Sequence, residues 1–572
     1  MSKYPGFPTP KRNYLREPQN QSCYEYLLEC NARIKEDLGD YTAFVVPVAD
    51  QISETKMSKL FSDIEKLAAY FTSIGLKKGD VYTIFMPTSA HAIVAFYALN
   101  KIGVISSFIH PLTPPNALAE MLELTKSKGM LILDLTCAVF APVMAKYRTI
   151  VCSTSDYCDG IAYKYAAYNE MQNAKVPELD TIIRYKDIMA MDLPQVETVK
   201  DMGKTDAIYL NGGGTTGKSK TIIHSSYSFN HLAYKLYLYD QEEMHEYDND
   251  AHSMCVLPFF HAFGLGGAMH YPLCNAYKPI VISKFDPVQA NELIKKLNVS
   301  EILGVPKLFE KMFYADNFDN DGLKNLKMLF AGGDTLTNTF REKFDEVIHR
   351  HGAKASLYAG YGLTEMCAVC TNNSALGNRP GSVGAPIPGV EIEIWDPDSK
   401  RLPNGEIGEI VMSGETMMNG YLPDGNVADN GIYTDENGKK WVKTGDMGYK
   451  DDDGFIFFSG RKKRIIIIAG YNIYPATIEE YVSKLDYINE VCAVQGYDEN
   501  GKPLCKLCVS LKDQNADHDE VITKLKAYCE SKIEGYACPR KYEIYDLLPR
   551  TKMEKIDFMK LTEMLNPVDI AG

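Results

Sequence analysis

Helical and strand-like hydrophobic patterns alternate through the first part of the chain. From Met57 onwards apolar residues recur at helical spacing, and Gly75 is well suited to end the helix. The segments that follow predict, in turn, the strand VYTIFMP, the helix AHAIVAFYALNKIG, the strand VISSFIH, a helix near 117–126 and the strand MLILDLT. This alternation predicts an α/β fold in which layered, largely parallel sheets are covered by helices.

The pattern changes after about residue 451. The sequence there predicts short strands in GFIFFSG and RIIIIAG, an amphipathic helix in ATIEEYVSKL, strands in VCAVQGY and KLCVSL, a helix in DEVITKLKAYCESKI and a last strand in KYEIYDLL. Together these elements predict a smaller α+β domain. Because 572 residues exceed the usual size of one folding unit, we predict an N-terminal domain over 1–460 and a C-terminal domain over 461–572, with a boundary at about 461–464.

A formal net charge of −14 limits the partners that the chain can bind. Nonspecific binding to nucleic acid or to an anionic membrane is disfavoured, so a polyanion must be bound at a local cluster of positive charge. The sequence offers two such places, Lys218 with Lys220 beside a glycine-rich loop, and the run RKKR at 461–464. We find no signal peptide and no apolar run of membrane-spanning length, and therefore expect a cytoplasmic protein.

Fourteen cysteines without a secretion signal favour reduced thiols. Two pairs have C-x-x-C spacing, Cys367 with Cys370 and Cys505 with Cys508. The second pair lies in a predicted strand, where residues three apart point to opposite faces and cannot share a metal. The first pair has no neighbouring histidine and no second pair at zinc-finger spacing, so we interpret both pairs as buried apolar residues.

The segment LNGGGTTGKSKTIIHS at 210–225 matches the Walker A pattern G-x-x-x-x-G-K-[ST]. A Walker A loop leads from a strand into a helix, whose first amides bind phosphate. The strand AIYLN precedes this loop, but the β-branched residues at 221–223 favour a second strand after it. We therefore predict a strand, a loop and a strand, with phosphate bound by loop amides, by the hydroxyls of Thr215 and Thr216 and by lysines.

Further motifs follow this loop along the chain. They are AGGDTL from Ala331, GYGLTE at 360–365, WVKTGD ending at Asp446, GRKKR followed by IIIIAGYNIYP, and LPRTKMEKIDF from Leu548. In this order, the motifs resemble those of the adenylate-forming superfamily, which comprises acyl-CoA synthetases, adenylation domains of nonribosomal peptide synthetases and luciferase-like enzymes. The resemblance implies a large N-terminal domain of layered sheets and a small, mobile C-terminal domain.

The chain departs from the family patterns at several positions. Glycines replace the first two hydroxyl residues of the loop pattern [ST]-[ST]-G-[ST]-T-G-K-P-K-G, Ser219 replaces its proline and Thr221 replaces its last glycine. Asp334 and Thr335 replace the usual Ala-Pro of the second motif, and Glu554 stands where glycine is usual in the last one.

The resemblance implies an ATP site built from most of these motifs. Tyr361 offers a flat ring for the adenine, Asp446 would accept hydrogen bonds from both ribose hydroxyls, and Arg461 would contact the ribose. The residues implied in ATP binding are Gly213, Gly214, Thr215, Thr216, Gly217, Lys218, Lys220, Gly333, Asp334, Thr335, Gly360, Tyr361, Gly362, Asp446 and Arg461.

The resemblance also implies the catalytic residues. Thr364 would bind phosphate, Glu365 would offer Mg²⁺ a hard oxygen ligand, and Lys555 would be the catalytic lysine. His261, in the segment LPFFHAFGLGG, occupies the position that often gates the substrate carboxylate, and a histidine satisfied within the core is the alternative.

Two further positions are implied in domain movement and thiol entry. Lys463 corresponds to the hinge about which the small domain pivots between half-reactions. Gly470 would let the pantetheine arm of CoA pass close to the backbone.

The implied reaction joins a carboxylic acid to a thiol. The carboxylate attacks the α-phosphorus of ATP, with Mg²⁺ present, and the resulting acyl-AMP passes its acyl group to CoA. Family members that activate amino acids carry an aspartate in the segment at 257–267, and this chain has none there. We therefore expect a fatty or aryl acid as substrate.

Several alternatives stay open at this point. The acceptor could be an acyl carrier protein in place of CoA, and a luciferase-like monooxygenase would share the same adenylation residues. A P-loop kinase or ATPase would require a helix directly after Lys218 and would form ADP. A noncatalytic nucleotide sensor is the last alternative, and it would give Lys555 no role.

Overall fold

The computed structural model describes residues 14–212, 220–243, 250–375, 377–423, 430–468, 471–499, 502–533, 537–551 and 555–565. These residues form two compact units. The first comprises the chain up to Gly212, Lys220–Glu391 and Ser413–Val442, and the second comprises Ile392–Met412 and the chain from Lys443 onwards. The domain boundary at about residue 461 stays a prediction.

The helices confirm the predicted helical segments and add others. In chain order they are α1 (Cys23–Leu38), α2 (Met57–Ser73), α3 (Ala90–Lys101), α4 (Pro115–Leu124), α5 (Cys137–Met144), α6 (Gly160–Asn173), α7 (Tyr185–Met189), α8 (Ser226–Glu243), α9 (Tyr271–Cys274), α10 (Pro287–Lys296), α11 (Pro306–Phe313), α12 (Asn338–Arg350), α13 (Pro475–Ser483), α14 (His518–Lys532) and α15 (Phe558–Leu565). Gly75, just beyond α2, has a φ of +87°, which explains the glycine at this helix end. Over the described part of the chain, none of these helices is long and apolar enough to cross a membrane.

The strands up to residue 361 belong to the first unit. In chain order they are β1 (Thr42–Val48), β2 (Gln51–Lys56), β3 (Val81–Phe85), β4 (Ile105–Phe108), β5 (Ser127–Leu133), β6 (Arg148–Cys152), β7 (Ile182–Arg184), β8 (Asp206–Asn211), β9 (Thr221–Ser225), β10 (His252–Cys255), β11 (Lys278–Val281), β12 (Val299–Gly304), β13 (Met328–Ala331) and β14 (Leu357–Tyr361).

The remaining strands range in length from two to eleven residues. They are β15 (Thr371–Asn372), β16 (Ala385–Pro386), β17 (Val390–Trp395), β18 (Gly408–Gly414), β19 (Gly420–Tyr421), β20 (Ile432–Thr434), β21 (Lys440–Lys450), β22 (Ile456–Arg461), β23 (Ile466–Ile468), β24 (Tyr471–Ile473), β25 (Ile488–Tyr497), β26 (Pro503–Leu511) and β27 (Lys541–Ile544).

Two large sheets form the scaffold of the first unit. One has the strand order β16-β15-β14-β13-β12-β10-β11-β1-β2, and the other has the order β19-β9-β8-β4-β3-β5-β6-β7. Neighbouring strands from β14 to β1 in the first sheet, and from β8 to β7 in the second, run parallel. Parallel neighbours require crossover connections, which the intervening helices provide. The predicted α/β fold with layered sheets is confirmed.

An apolar cluster packs α10, α11 and α12 against the nine-stranded sheet. Phe309, Phe344 and Ile302 are fully buried members of this cluster. The rings of Phe309 and Phe344 meet edge to face with their centroids 5.7 Å apart. Since burial of each such side chain contributes about 1.5–3 kcal/mol, the cluster fixes the strands β12–β14 that carry two of the predicted motifs.

The second unit has a three-stranded sheet, in which β26 is antiparallel to β25 and parallel to β27. Cys505 lies in an apolar cluster with Val482 of α13 and Leu525 of α14. Cys508 lies in a different cluster, together with Leu561 of α15. The two thiols therefore face opposite sides of the sheet, which confirms the predicted strand and its consequence for this C-x-x-C pair.

The apolar cluster predicts unequal effects for two aromatic residues, one within α11 and one directly after it. Phe309→Ala should lower the free energy of unfolding by about 3–5 kcal/mol, because Phe309 is 0% exposed and its removal leaves a cavity. The control Tyr314→Ala should change it by less than about 0.5 kcal/mol, because Tyr314 is 69% exposed. Urea titration followed by far-ultraviolet circular dichroism measures both, and equal losses would contradict this description of the core.

Candidate active site

Strands β8 and β9 run antiparallel on either side of the glycine-rich loop, with Asn211 paired to Thr221. The ladder reaches the base of the loop, where the Gly212 amide donates to the Lys220 carbonyl at 2.9 Å. Helix α8 begins only at Ser226, after the whole of β9. The predicted strand after the loop is confirmed, and the Walker A alternative, which needs a helix there, is wrong.

The loop itself, at 213–219, lies outside the described residues. The predicted phosphate-binding residues in this position are Gly213, Gly214, Thr215, Thr216, Gly217 and Lys218. Lys220, which follows the loop, is described and exposed. Its ammonium nitrogen lies 4.2 Å from the centre of the Tyr421 ring.

The carboxyl ends of β13 and β14 bring two predicted motifs to one edge of the nine-stranded sheet. The strands are parallel neighbours, with Ala331 paired to Ala359. Gly333, Asp334 and Thr335 follow β13 and are exposed, and the Thr335 amide donates to Asp334 Oδ1 at 2.8 Å. Ligands of open α/β sheets bind at this kind of edge, so the two motifs are suitably located for a shared ligand.

The motif GYGLTE turns sharply after β14. A Cβ at Gly362 would lie 1.3 Å from the carbonyl oxygen of Ala368, so only glycine fits there. Cys367 and Ala368, on the far side of the turn, have φ values of +57° and +89°. Thr364 and Glu365 lie between these points in a short 3₁₀ turn and are partly exposed.

Two hydrogen bonds fix the main chain of Thr364 and Glu365. Nε2 of His224, on β9, donates to the Thr364 carbonyl at 2.7 Å. The Met418 amide donates to the Glu365 carbonyl at 2.8 Å. Burial lowers the pKa of His224 to about 4, so the imidazole is neutral at pH 7 and has one N–H to donate.

The Glu365 side chain has its own partner in Tyr421, whose hydroxyl donates to Oε1 at 2.9 Å. Neither Tyr421 nor His224 was predicted from the sequence as a site residue. They stand 56 and 140 residues from the positions that they contact, so no local spacing connects them. The only signal was the polar residue in the buried run TIIHS, where His224 stands.

The Glu365 carboxylate suits Mg²⁺ better than a metal held only by protein. In the described ranges, no group of three or more histidine, cysteine, aspartate or glutamate side chains could hold a metal ion. Mg²⁺ is typically bound by one or two carboxylates together with substrate phosphates and water. Glu365, a single and partly exposed carboxylate, fits that requirement.

His261 follows β10 at the same edge of the nine-stranded sheet and is partly exposed. Directly after it the chain forms a π-helix, Phe263–His270, a distortion that is frequent at functional sites. Gly264 lies against the Pro258 carbonyl, which a Cβ would approach to 2.1 Å. The ring of Phe260 packs on His110, which follows β4, with centroids 4.4 Å apart. His261 therefore lies where segments that follow strands of both large sheets meet.

In the second unit, Asp446 and Arg461 are paired residues on the antiparallel strands β21 and β22. Arg461 Nε lies 2.8 Å from Asp446 Oδ1, and the Asp446 side chain is 1% exposed. The neighbouring Glu409 accepts from the Gly445 amide at 3.1 Å and pairs with Lys462 at 2.8 Å. The two residues predicted to contact the ribose are thus brought together, with the carboxylate fixed by its guanidinium neighbour.

The remaining predicted positions lie later in the second unit. The backbone of Lys463 is in the 3₁₀ turn Lys462–Arg464, while its side chain and Gly470 are outside the described part of the chain. Lys555 is exposed and directly precedes Ile556, which forms an antiparallel bridge with Arg550. The Thr551 amide donates to the Lys555 carbonyl at 2.8 Å.

Comparison with known proteins matches both parts of the chain to family models. Residues 33–422 match the AMP-binding enzyme family, and residues 477–555 match the C-terminal domain of AMP-binding enzymes. A long-chain-fatty-acid–CoA ligase of Bacillus subtilis is 28% identical over 525 residues, which cover 88% of this chain and 89% of that protein. 4-Coumarate–CoA ligase 5 of Oryza sativa subsp. japonica is 25% identical, with 87% of each chain covered.

Solved structures share the fold. O-succinylbenzoate coenzyme A synthetase from Bacillus subtilis, in complex with ATP and a magnesium ion, superposes with a TM-score of 0.71 at 20% identity. The superposition covers 94% of this chain and 98% of that structure. At this level of identity the likeness concerns the fold, and it supports the α/β architecture described above.

The neutral His224 predicts a pH dependence of stability. Its pKa is about 4 in the folded protein and 6.5 ordinarily, so below pH 6.5 the unfolded chain takes up a proton that the folded chain does not. The contribution of the neutral His224 to the free energy of unfolding is therefore fully present above pH 6.5, and it falls by about 3 kcal/mol as the pH falls to 4. His224→Asn, which keeps a hydrogen-bond donor, should lack this part of the loss.

Urea titrations of the wild type and of His224→Asn between pH 7 and pH 4.5 measure the difference. Burial also lowers the pKa of His231 to about 4 and that of His270 to about 3, and these two residues cancel in the comparison. Curves that stay parallel over this range would contradict a buried, neutral His224.

Proposed function

The chain belongs to the AMP-binding enzyme family, and from this premise we propose that it is an ATP-dependent acid–CoA ligase. In the first half-reaction a substrate carboxylate attacks the α-phosphorus of ATP, and acyl-AMP and pyrophosphate are formed. In the second, the thiol of CoA attacks the acyl carbon of acyl-AMP, the acyl–oxygen bond breaks, and AMP leaves. The overall products are acyl-CoA, AMP and pyrophosphate.

The observation that carries this proposal is the strand β9 directly after the glycine-rich loop. A kinase-type P-loop would present a helix N-terminus to the phosphates at this point. Here the chain instead continues as β9, and His224 on that strand binds the main chain beside Glu365. The main chain beside the carboxylate suited to Mg²⁺ is thereby bound by the strand that follows the proposed phosphate-binding loop.

Electrostatics sets the requirements of the first step, because a carboxylate is a poor nucleophile towards a polyanion. Lys220 and the lysine of the loop, Lys218, are proposed to bind the β- and γ-phosphates, and Thr364 to donate to phosphate. Glu365 would hold Mg²⁺, which when bound neutralises phosphate charge. Lys555 is proposed to supply the positive charge that stabilises the transition state between the two anions.

Binding of the nucleoside is proposed to use residues of several motifs. Tyr361 would stack on the adenine, with the backbone at 333–335 forming the wall of the pocket. Asp446 would accept hydrogen bonds from the ribose hydroxyls, and Arg461 would hold that carboxylate in place. For the second half-reaction, Lys463 is the proposed hinge position and Gly470 the proposed passage for pantetheine.

The proposed substrate is a carboxylic acid without an amino group. The segment at 257–267 contains no aspartate that could bind an α-ammonium, and relatives of this chain are named as ligases of long-chain fatty acids and of 4-coumarate. We therefore propose a fatty or aryl acid, with His261 placed to gate its carboxylate. CoA is the proposed acceptor, and an acyl carrier protein is the alternative.

A panel of carboxylic acids tests the function. Release of AMP and pyrophosphate from ATP should require a fatty or aryl acid, and amino acids should not support it. A matched assay with CoA and with acyl carrier protein identifies the acceptor. Formation of ADP, or nucleotide hydrolysis that is independent of any acid, would contradict the proposal.

The proposed role of Lys555 predicts that its substitution affects the two half-reactions differently. Lys555→Ala should reduce acid-dependent ATP–pyrophosphate exchange by at least about a hundredfold, because the transition state loses its positive charge. Thioester formation from supplied acyl-AMP and CoA should stay within about threefold of the wild type, because no phosphoryl transfer occurs in that step.

The matched control is Lys560→Ala, which removes an exposed lysine from α15. It should leave both rates unchanged. An equal loss of both half-reactions in Lys555→Ala would refute the proposed role of this lysine.

A further inference from the structure

Tyr421 contacts two groups of opposite charge that the proposed reaction requires. Its hydroxyl donates to Oε1 of Glu365 at 2.9 Å, and the centre of its ring lies 4.2 Å from the ammonium nitrogen of Lys220. From this geometry we infer that Tyr421 is a positioning residue, which orients the metal-binding carboxylate and keeps the lysine apart from it. This inference rests on the proposed function.

The backbone of Tyr421 is fixed by the strand that leaves the glycine-rich loop. In the antiparallel pair of β19 and β9, Tyr421 lies opposite Ile222 and Gly420 lies opposite Ile223. The next amide, of Leu422, donates to the Thr221 carbonyl at 2.8 Å. Lys220 directly precedes β9, and Tyr421 lies on the strand that pairs with β9. The pairing of these two strands therefore fixes the backbone of Tyr421 relative to that of Lys220.

The ring of Tyr421 is fixed as well. A Cβ at Gly431 would approach Cε2 of Tyr421 to 2.2 Å, so the ring packs directly over this glycine. Gly431 has a φ of +78°, a conformation that glycine adopts without strain. Because this packing restricts the ring, its hydroxyl and its face each keep a fixed orientation.

Charge separation is the consequence of this arrangement. Lys220 and Glu365 are both described, and they form no ion pair with each other there. An ion pair between them would neutralise Lys220, which is proposed to bind phosphate, and Glu365, which is proposed to bind Mg²⁺. Tyr421 instead binds the carboxylate by a hydroxyl hydrogen bond and the ammonium group by the face of its ring, so each charge stays available to its ligand.

Tyr421→Phe tests the role of the hydroxyl without loss of the ring. Mn²⁺ replaces Mg²⁺ as the probe, and its binding is measured by electron paramagnetic resonance in the presence of α,β-methylene-ATP, with no acid added. Mn²⁺ should bind about tenfold more weakly to Tyr421→Phe than to the wild type, as is usual when a residue that orients a metal ligand is removed.

The chain offers a matched control in Tyr24→Phe. The Tyr24 hydroxyl donates to Oε1 of Glu65 at 2.8 Å, so this substitution removes the same kind of hydrogen bond elsewhere in the first unit. Tyr24→Phe should leave Mn²⁺ binding within about twofold of the wild type. In the background of Glu365→Gln, Tyr421→Phe should have no further effect, because its action passes through Glu365.

Tyr421→Leu removes the ring as well and tests the role towards Lys220. In the absence of metal, α,β-methylene-ATP should bind at least threefold more weakly to Tyr421→Leu than to Tyr421→Phe, because Lys220 can then pair with Glu365. Equal binding of the nucleotide by the two variants would overturn this second role.

Unchanged Mn²⁺ binding in Tyr421→Phe, or an equal weakening in Tyr24→Phe, would overturn the positioning role. Neither result depends on the acid substrate, so they leave the proposed function standing. Conversely, absence of acid-dependent AMP release in the wild type would refute the proposed function, while the Mn²⁺ measurements would still report on Tyr421.

Discussion

The hydrogen-bonded ladder along β9 connects the parts of the candidate site that lie far apart in sequence. On one side it pairs with β8, which enters the glycine-rich loop, and on the other with β19, which carries Tyr421. His224 adds a bond from this strand to the Thr364 carbonyl. Each such hydrogen bond contributes about 0.5–1.5 kcal/mol, but an unpaired buried group would cost more, so the ladder forms as a whole. The base of the glycine-rich loop, the main chain beside Glu365 and the residue Lys220 are thus all connected to one strand.

This arrangement fits the charge of the protein. With a net charge of −14, the chain cannot attract a nucleoside triphosphate through its overall electrostatic field. The cations required for phosphate must be few and must be kept from pairing with nearby acids. Tyr421 is proposed to do this for Lys220, whose ammonium nitrogen lies over its ring. In the second unit Asp446 is paired with Arg461, so that its buried charge is compensated. Local pairing therefore decides which charges are available to a ligand.

The fold and the family could be predicted from the sequence because both depend on local patterns. The β-branched run at 221–223 predicted β9, and Cys505 with Cys508 was correctly interpreted through the two-residue period of a strand. Gly362 was recognised by its motif. The reason that only glycine fits there, its close contact with the Ala368 carbonyl, is visible only in three dimensions. Tyr421 and His224 could not be predicted, because their partners are joined to them by sheet topology rather than by spacing. The contact between Phe260 and His110 could not be predicted either, because these residues follow strands of two different sheets.

The most direct test of the central claim follows the oxygen atoms of the acid. The enzyme is supplied with ATP, CoA and a substrate whose carboxylate carries ¹⁸O at both positions, and the products are analysed by mass spectrometry. If the carboxylate attacks the α-phosphorus, one labelled oxygen must remain with AMP and the other with the thioester carbonyl. Label in pyrophosphate or in inorganic phosphate, or AMP without label, would contradict the account.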